Sequence, residues 1–179
     1  MLAVRKLLLP ILAVVVTAAS PAAFAAAPQP RQSFDRAHMK GRWYEIARSP
    51  NKVNEGCQAG TTDWTPKPDG SFRIIAACHR GSPTAPARTI GGDVVVLNPG
   101  QNTKVKMKLL AGIIQREYWI FDHAADYGWL IMGTPKGDFI SIEATRPVLP
   151  PAVKAEALAR AKALGYDTSS LIFPVQVAK

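Results

Sequence analysis

"TKVKMKLL", Thr103 to Leu110, is the stretch that decides between helix and strand. Lys104, Lys106 and Lys108 alternate strictly with Val105, Met107 and Leu109, a period of two that sends the cations to one face and the apolar side chains to the other. On a helix the same residues would be scattered around the cylinder, so the stretch reads as a half-buried strand. Its lysine face is read as a solvated outer surface rather than a clamp for an anion, because lysines are seldom fully buried.

Working outward, the same rhythm fills the chain up to residue 150. Strands are expected at 42–49, 58–65, 71–78, 88–97, 103–110, 115–122, 127–133 and 139–145. They are separated by turn chemistry such as "PKPDG", "GSPTAP", "NPGQN" and "TPKGD". Short turns between consecutive strands suggest an antiparallel up-and-down meander, and closing it into a barrel removes the exposed edges. One helix follows, opened by Pro150-Pro151 and ended by Gly165. Val153, Ala157, Leu158, Ala161 and Leu164 recur along it at helical spacing and require an apolar surface to lie on. "SSLIFPVQ" after it is expected to return as a short ninth strand, with Pro174 favouring an edge. The fold expected is therefore all-β: an eight-stranded antiparallel up-and-down β-barrel with one C-terminal α-helix and a short ninth strand.

Residues 1–25 serve a different purpose. Arg5 and Lys6 precede "LLLPILAVVV", and Ala23-Phe24-Ala25 offers a small-residue cleavage site, the pattern of a secretory signal peptide. Residues 26–40 then form an N-terminal extension and 41–179 a single barrel domain. Losing the signal would take the formal charge from +9 to +7. Export across the inner membrane to the periplasm is expected, without lipid attachment, because no cysteine stands at the cleavage site. The chain's two cysteines, Cys57 and Cys78, flank the turn "TPKPDGS", and a hairpin there brings them near each other; a disulfide is the default in an oxidising compartment, with two buried free thiols as the alternative. Thr62, Trp64, Phe72, Ile74 and Ala76 form the inner face of that hairpin. This face implies a register slightly offset from one that sets the cysteines squarely opposite.

Little points to catalysis. His38, His79 and His123 lack metal-ligand spacing, and the sequence has no glycine-rich phosphate loop, no G-x-S-x-G and no C-x-x-C. No cofactor or metal is expected. The basic residues interleave with apolar strand positions rather than forming an aromatic-rich stripe, which argues against nucleic acid, although the charge is compatible with peripheral contact with an anionic membrane surface.

Gly41-Arg42-Trp43, continued by "YEIAR", and "YWIFDHAADYGWLIMG", with Asp126-Tyr127 in its turn, resemble the motifs of the lipocalin family, in particular its bacterial members related to apolipoprotein D. The cysteine pair and the late helix fit the same resemblance, which covers nearly all of the mature chain. It implies that Gly41 and Trp43 begin the closed end of the barrel and that an arginine after strand eight packs on Trp43. An ungapped count puts Thr145 at that position, with Ser141 and Glu143 inward. A slide of one residue puts Arg146 there, with Ile140, Ile142 and Ala144 inward, and is preferred because burying an unpaired Glu143 costs on the order of several kcal/mol. The resemblance further implies a small hydrophobic or amphipathic ligand, such as a fatty acid or lysophospholipid, held at the open end by Ala47, Thr62, Ile74, Met107, Leu109, Tyr118, Ile120, Ile140 and Ile142. Trp119 and Phe121, on the opposite parity, belong under the helix. The alternatives are an enzyme acting on a lipid or isoprenoid inside the barrel, and a structural envelope protein docked to anionic membrane.

Overall fold

A computed structural model describes residues 27–30 and 32–177. The signal segment expected at 1–25 lies outside them. Among the described residues the chain forms β1 (Gly41–Arg48), β2 (Cys57–Pro66), β3 (Phe72–Arg80), β4 (Ala87–Val96), β5 (Lys104–Leu109), β6 (Ile114–His123), β7 (Trp129–Gly133), β8 (Ile140–Ala144) and α1 (Pro151–Ala163). Each strand pairs antiparallel with the next, and β1 pairs β8, so the sheet closes into a barrel. No sheet edge is left open.

Register follows side-chain character. Thr62 stands opposite Ala76 and Trp64 opposite Ile74, as the inner face of the first hairpin requires, and Met107 on β5 faces Val94 on one side and Arg116 on the other. A bulge between Gln58 and Thr61 shifts the end of that hairpin, and Cys57 and Cys78 are joined by a disulfide with their Cα atoms 5.3 Å apart.

Alternation divides the apolar residues into two cores. Phe34, Trp43, Phe72, Ile74, Val94, Val105, Ile120 and Leu130 belong to one inside the barrel. The other lies between the outer wall and α1, where Ala157 and Ala161 are fully buried against Trp119, Phe121, Trp129, Ile131 and Ile142, with Val153, Leu158 and Leu164 alongside. The helix thus buries the stripe that its spacing marked out, and its chain reverses at Gly165, whose φ of +95° suits glycine.

Two elements depart from the sequence reading. The short ninth strand is reduced to one bridge, Ile172 with Arg48, because Pro174 lacks an N–H to continue the ladder; beyond it the chain is held by Ala59 N–H to the Val175 carbonyl, Val175 N–H to Gln58 Oε1, and Gln176 Nε2 to the carbonyls of Glu45 and Gly60. At the other end, the segment before Gly41 does more than precede the barrel. Asp35 caps a short 3-10 turn, Arg36–His38, and Phe34 and Met39 on either side are buried at 1% and 3% exposure. Phe34 N–H bonds to Gln101, and Asn102 Nδ2 donates to the Phe34 carbonyl. The segment therefore straps the end of the barrel at which β1 begins.

Candidate functional site

That end is the floor. Trp43 points inward from β1, with Gly41, at φ +79°, making the turn that brings it in. Phe34 lies against Trp43 with ring centres 6.4 Å apart and meets His123 and Tyr127 edge-on at 5.2 and 5.1 Å. Tyr127 in turn stacks between His38 and His123, held in the β6–β7 turn by its N–H to Ala124 while Asp126 Oδ1 accepts from Gly128 N–H. The expected arginine lid is absent: Arg146 is exposed beyond the end of β8, and Phe34 covers Trp43 instead. Arg36, in the same strap, stands 5.5 Å over the Phe72 ring.

Above the floor the barrel holds a cavity of about 320 Å³ that opens between the connecting loops at its other end. Thr62, Ile74, Met107, Leu109, Tyr118 and Ile120 line it, together with Trp43, Trp64, Ala76, Ile90, Leu130, Met132 and Phe139. The rim carries exposed Val53 and Ile114, and Arg88 and Arg116 stand exposed near it.

Three expected contacts are not there. Ala47, Ile140 and Ile142 belong to the outer core against α1. For Ala47 the reason is a bulge between Glu45 and Ala47, which resets the alternation so that Glu45 faces in and Ala47 faces out, opposite Ile142. For β8 the reason is the helix. An outer face covered by α1 demands apolar side chains as strongly as the lumen does, and Ile140, Ile142 and Ala144 go there. Ser141 and Glu143 consequently line the cavity, as the ungapped count would have had it.

The consequence is a polar wall in an otherwise apolar space. Glu45 and Glu143 lie directly opposite each other on β1 and β8, a spacing that brings Cβ atoms to roughly 5 Å. Arg48, 1% exposed, donates from Nη1 to Glu45 Oε1 at 2.6 Å and from Nη2 to the carbonyls of Asn54 and Cys57 at 2.7 and 3.3 Å. Gly60 makes room for Glu45, since a Cβ there would stand 2.9 Å from Glu45 Oε2. Burial pushes the Glu143 carboxyl up to about 8, with the Glu45 charge acting in the same direction and the Ser141 hydroxyl and Arg48 opposing. Burial also raises Glu45, against the pull of Arg48. Glu143 is thus largely protonated at neutral pH, and the surface it retains faces the cavity. Burial raises the Tyr118 phenol too. Among the described residues no group of three or more His, Cys, Asp or Glu is placed to hold a metal ion. The sequence carries a signal for Glu45, two positions after inward Trp43, and for Glu143 in the ungapped count of β8.

A lipocalin-like domain model matches residues 34–176, nearly the whole described chain. The chain belongs to the lipocalin-like domain family. Its match begins at Phe34, where the floor begins. The protein is 25% identical over 175 residues to the Outer membrane lipoprotein Blc of Escherichia coli (strain K12), covering 94% of this chain and 97% of that one. Among solved structures, insecticyanin from the tobacco hornworm Manduca sexta superposes with a TM-score of 0.62 at 17% identity, over 82% of each chain. The amine binding protein of Rhodnius prolixus, solved with tryptamine, gives 0.61 at 12% identity over 83% of this chain and 86% of that one. At these identities the two structures speak for the fold alone.

Proposed function

We propose that this lipocalin-like protein binds, stores or transports a small hydrophobic or amphipathic molecule in its barrel, and that it does so in the cell envelope. The observation that carries the reading is the cavity itself: apolar on most of its wall, sealed at the floor by Trp43 and Phe34, and open at the loops. Such a shape removes an apolar body from water while leaving an entry route. A fatty acid, a lysophospholipid or a similar lipid falls within the class. The signal-like residues 1–25, the disulfide and the likeness to an outer membrane lipoprotein support the envelope location. Peripheral contact with anionic membrane is supported by the formal charge of +7 that remains without the signal and by the exposed Val53 and Ile114 at the rim.

The test is a homologous series of straight-chain alcohols titrated by the fluorescence of Trp43 and Trp64. Burying one methylene contributes about 0.8 kcal/mol, so each added carbon should tighten binding about fourfold until the cavity is full. Affinity that does not change with chain length, or no binding at any length, contradicts the reading.

A further inference from the structure

We propose that the facing glutamates Glu45 and Glu143, set among Trp43, Trp64 and Tyr118, make the cavity selective for a ligand that joins an apolar body to a cationic amino group. The inference rests on the cavity-binding reading above and names the head group it favours.

The wall is short of one positive charge. Two carboxyl groups face each other across the β1–β8 seam, and the guanidinium of Arg48 is committed to Glu45 and to two backbone carbonyls. Among the described residues no cation forms an ion pair with Glu143. The other arginines that line the cavity, Arg88 and Arg116, stand exposed near the mouth, whereas Glu143 sits one inward position above the floor, level with Glu45 and beside Leu130. A buried carboxyl without a cation keeps its proton, and that is the state in which Glu143 is held.

Three head groups meet this wall differently. A carboxylate would bring a negative charge beside Glu45 and hold the proton on Glu143 still more firmly. A hydroxyl finds a hydrogen bond and nothing more. An ammonium supplies the missing charge, and its N–H groups donate to the Glu143 oxygens in a charge-assisted bond inside an apolar enclosure, where such bonds are strongest. The indoles of Trp43 and Trp64 and the ring of Tyr118 line the same space, and aromatic rings attract a cation placed over their faces. On binding, Glu143 gives its proton to water and the ammonium takes its place beside the carboxylate, so one proton leaves for each cation that enters.

That exchange gives the proposal a pH signature. The titratable and charged groups facing Glu143 are Glu45 and Arg48 on β1 and Tyr118 on β6, while its β7 neighbours Leu130 and Met132 carry no charge. Below about pH 8 the amine must displace a proton, and affinity should climb about tenfold per unit as pH rises from 6 before levelling off near 8.

The experiment compares decylamine, 1-decanol and decanoate on the full exported protein by isothermal titration calorimetry, at pH 6, 7 and 8. Decylamine at pH 8 should bind at least about tenfold tighter than decanol, with decanoate weakest and a proton released that is visible as a buffer-dependent heat. In Glu143→Gln the ratio of amine to alcohol affinity should fall to within about threefold, and the pH dependence should vanish. Decanol binding as tightly as decylamine, a flat pH profile in the wild type, or an undiminished amine preference in Glu143→Gln overturns the inference while leaving the cavity reading intact. Failure of all three probes to bind overturns both. The wild-type pH series needs no variant and decides the matter should Glu143→Gln fail to fold.

Discussion

Glu143 should make the protein less stable as pH rises through the neutral range, and replacing it by glutamine should abolish much of that dependence. Its carboxyl is lifted from an ordinary value of 4.5 to about 8 by burial. Between those values the folded chain holds a proton that the unfolded chain has released. The folded form is favoured in full below about pH 4.5, and the advantage drains away as pH climbs toward 8, at about 1.4 kcal/mol per unit. Over the accessible interval from pH 5 to pH 7.5 this comes to about 3 kcal/mol, a large part of the roughly 5 to 15 kcal/mol that holds such a domain folded. Glutamine keeps the shape and cannot ionise, so Glu143→Gln should lose the slope. It should also lower the charge facing Glu45, which burial raises in the same direction. Urea unfolding followed by tryptophan fluorescence, run on both proteins from pH 5 to pH 9, reads the difference directly. The gap between the two curves should change by about 3 kcal/mol in favour of the variant as pH rises from 5 to 7.5, contributions from groups that do not interact with Glu143 being common to both. Parallel curves would refute the placement of Glu143 in a buried, cation-poor wall.

Two further outcomes follow from the floor and from the disulfide. Phe34→Ala should cost about 3 to 5 kcal/mol in chemical unfolding, since the ring is 1% exposed and packed on Trp43, whereas exposed Arg146→Ala should stay within about 0.5 kcal/mol; comparable losses would mean that the arginine does cover the tryptophan. Opening the Cys57–Cys78 bridge, which spans a separation of 21 residues, should remove about 3 kcal/mol on the chain-entropy account and lower the melting temperature by roughly 6 to 12 °C, measured by scanning calorimetry of the double serine variant against the oxidised wild type.

The barrel was legible wherever one face of a strand is wet and the other dry. Lys104, Lys106 and Lys108 share the outer face, where Lys104 reaches Gln29 and the Trp119 ring, so their neighbours point in, and β5 with its partners follows from that. The helix declared its buried stripe because Ala157 and Ala161 recur at helical spacing among charged residues. β8 gave no such contrast. Covered outside by α1 and lined inside by the cavity, it has two faces that both exclude bulk water, and the rule that apolar residues turn inward fails when inward and outward are equally dry. The slide to Arg146 was the result. Ala47 was misplaced by a single-residue bulge, which inverts every side chain after it and leaves no mark in composition. Phe34 escapes the sequence reading because its partners, Trp43 on β1 and His123 and Tyr127 at the β6–β7 turn, are far apart in the chain and meet only when the sheet closes. For Glu45 and Glu143 average behaviour is a poor guide, since carboxylates are usually solvated. Protonation lets one of them be buried, and the pair can then serve as a recognition element.

The central claim, that the barrel carries its ligand inside, is tested most directly by filling the barrel. Ala76 lines the cavity from β3, so Ala76→Trp adds an indole to the space without removing any wall. Wild-type protein should bind the neutral apolar fluorophore N-phenyl-1-naphthylamine saturably, one molecule per chain, and a folded Ala76→Trp variant should lose that site. Undiminished binding in the folded variant, or none in the wild type, would contradict the account.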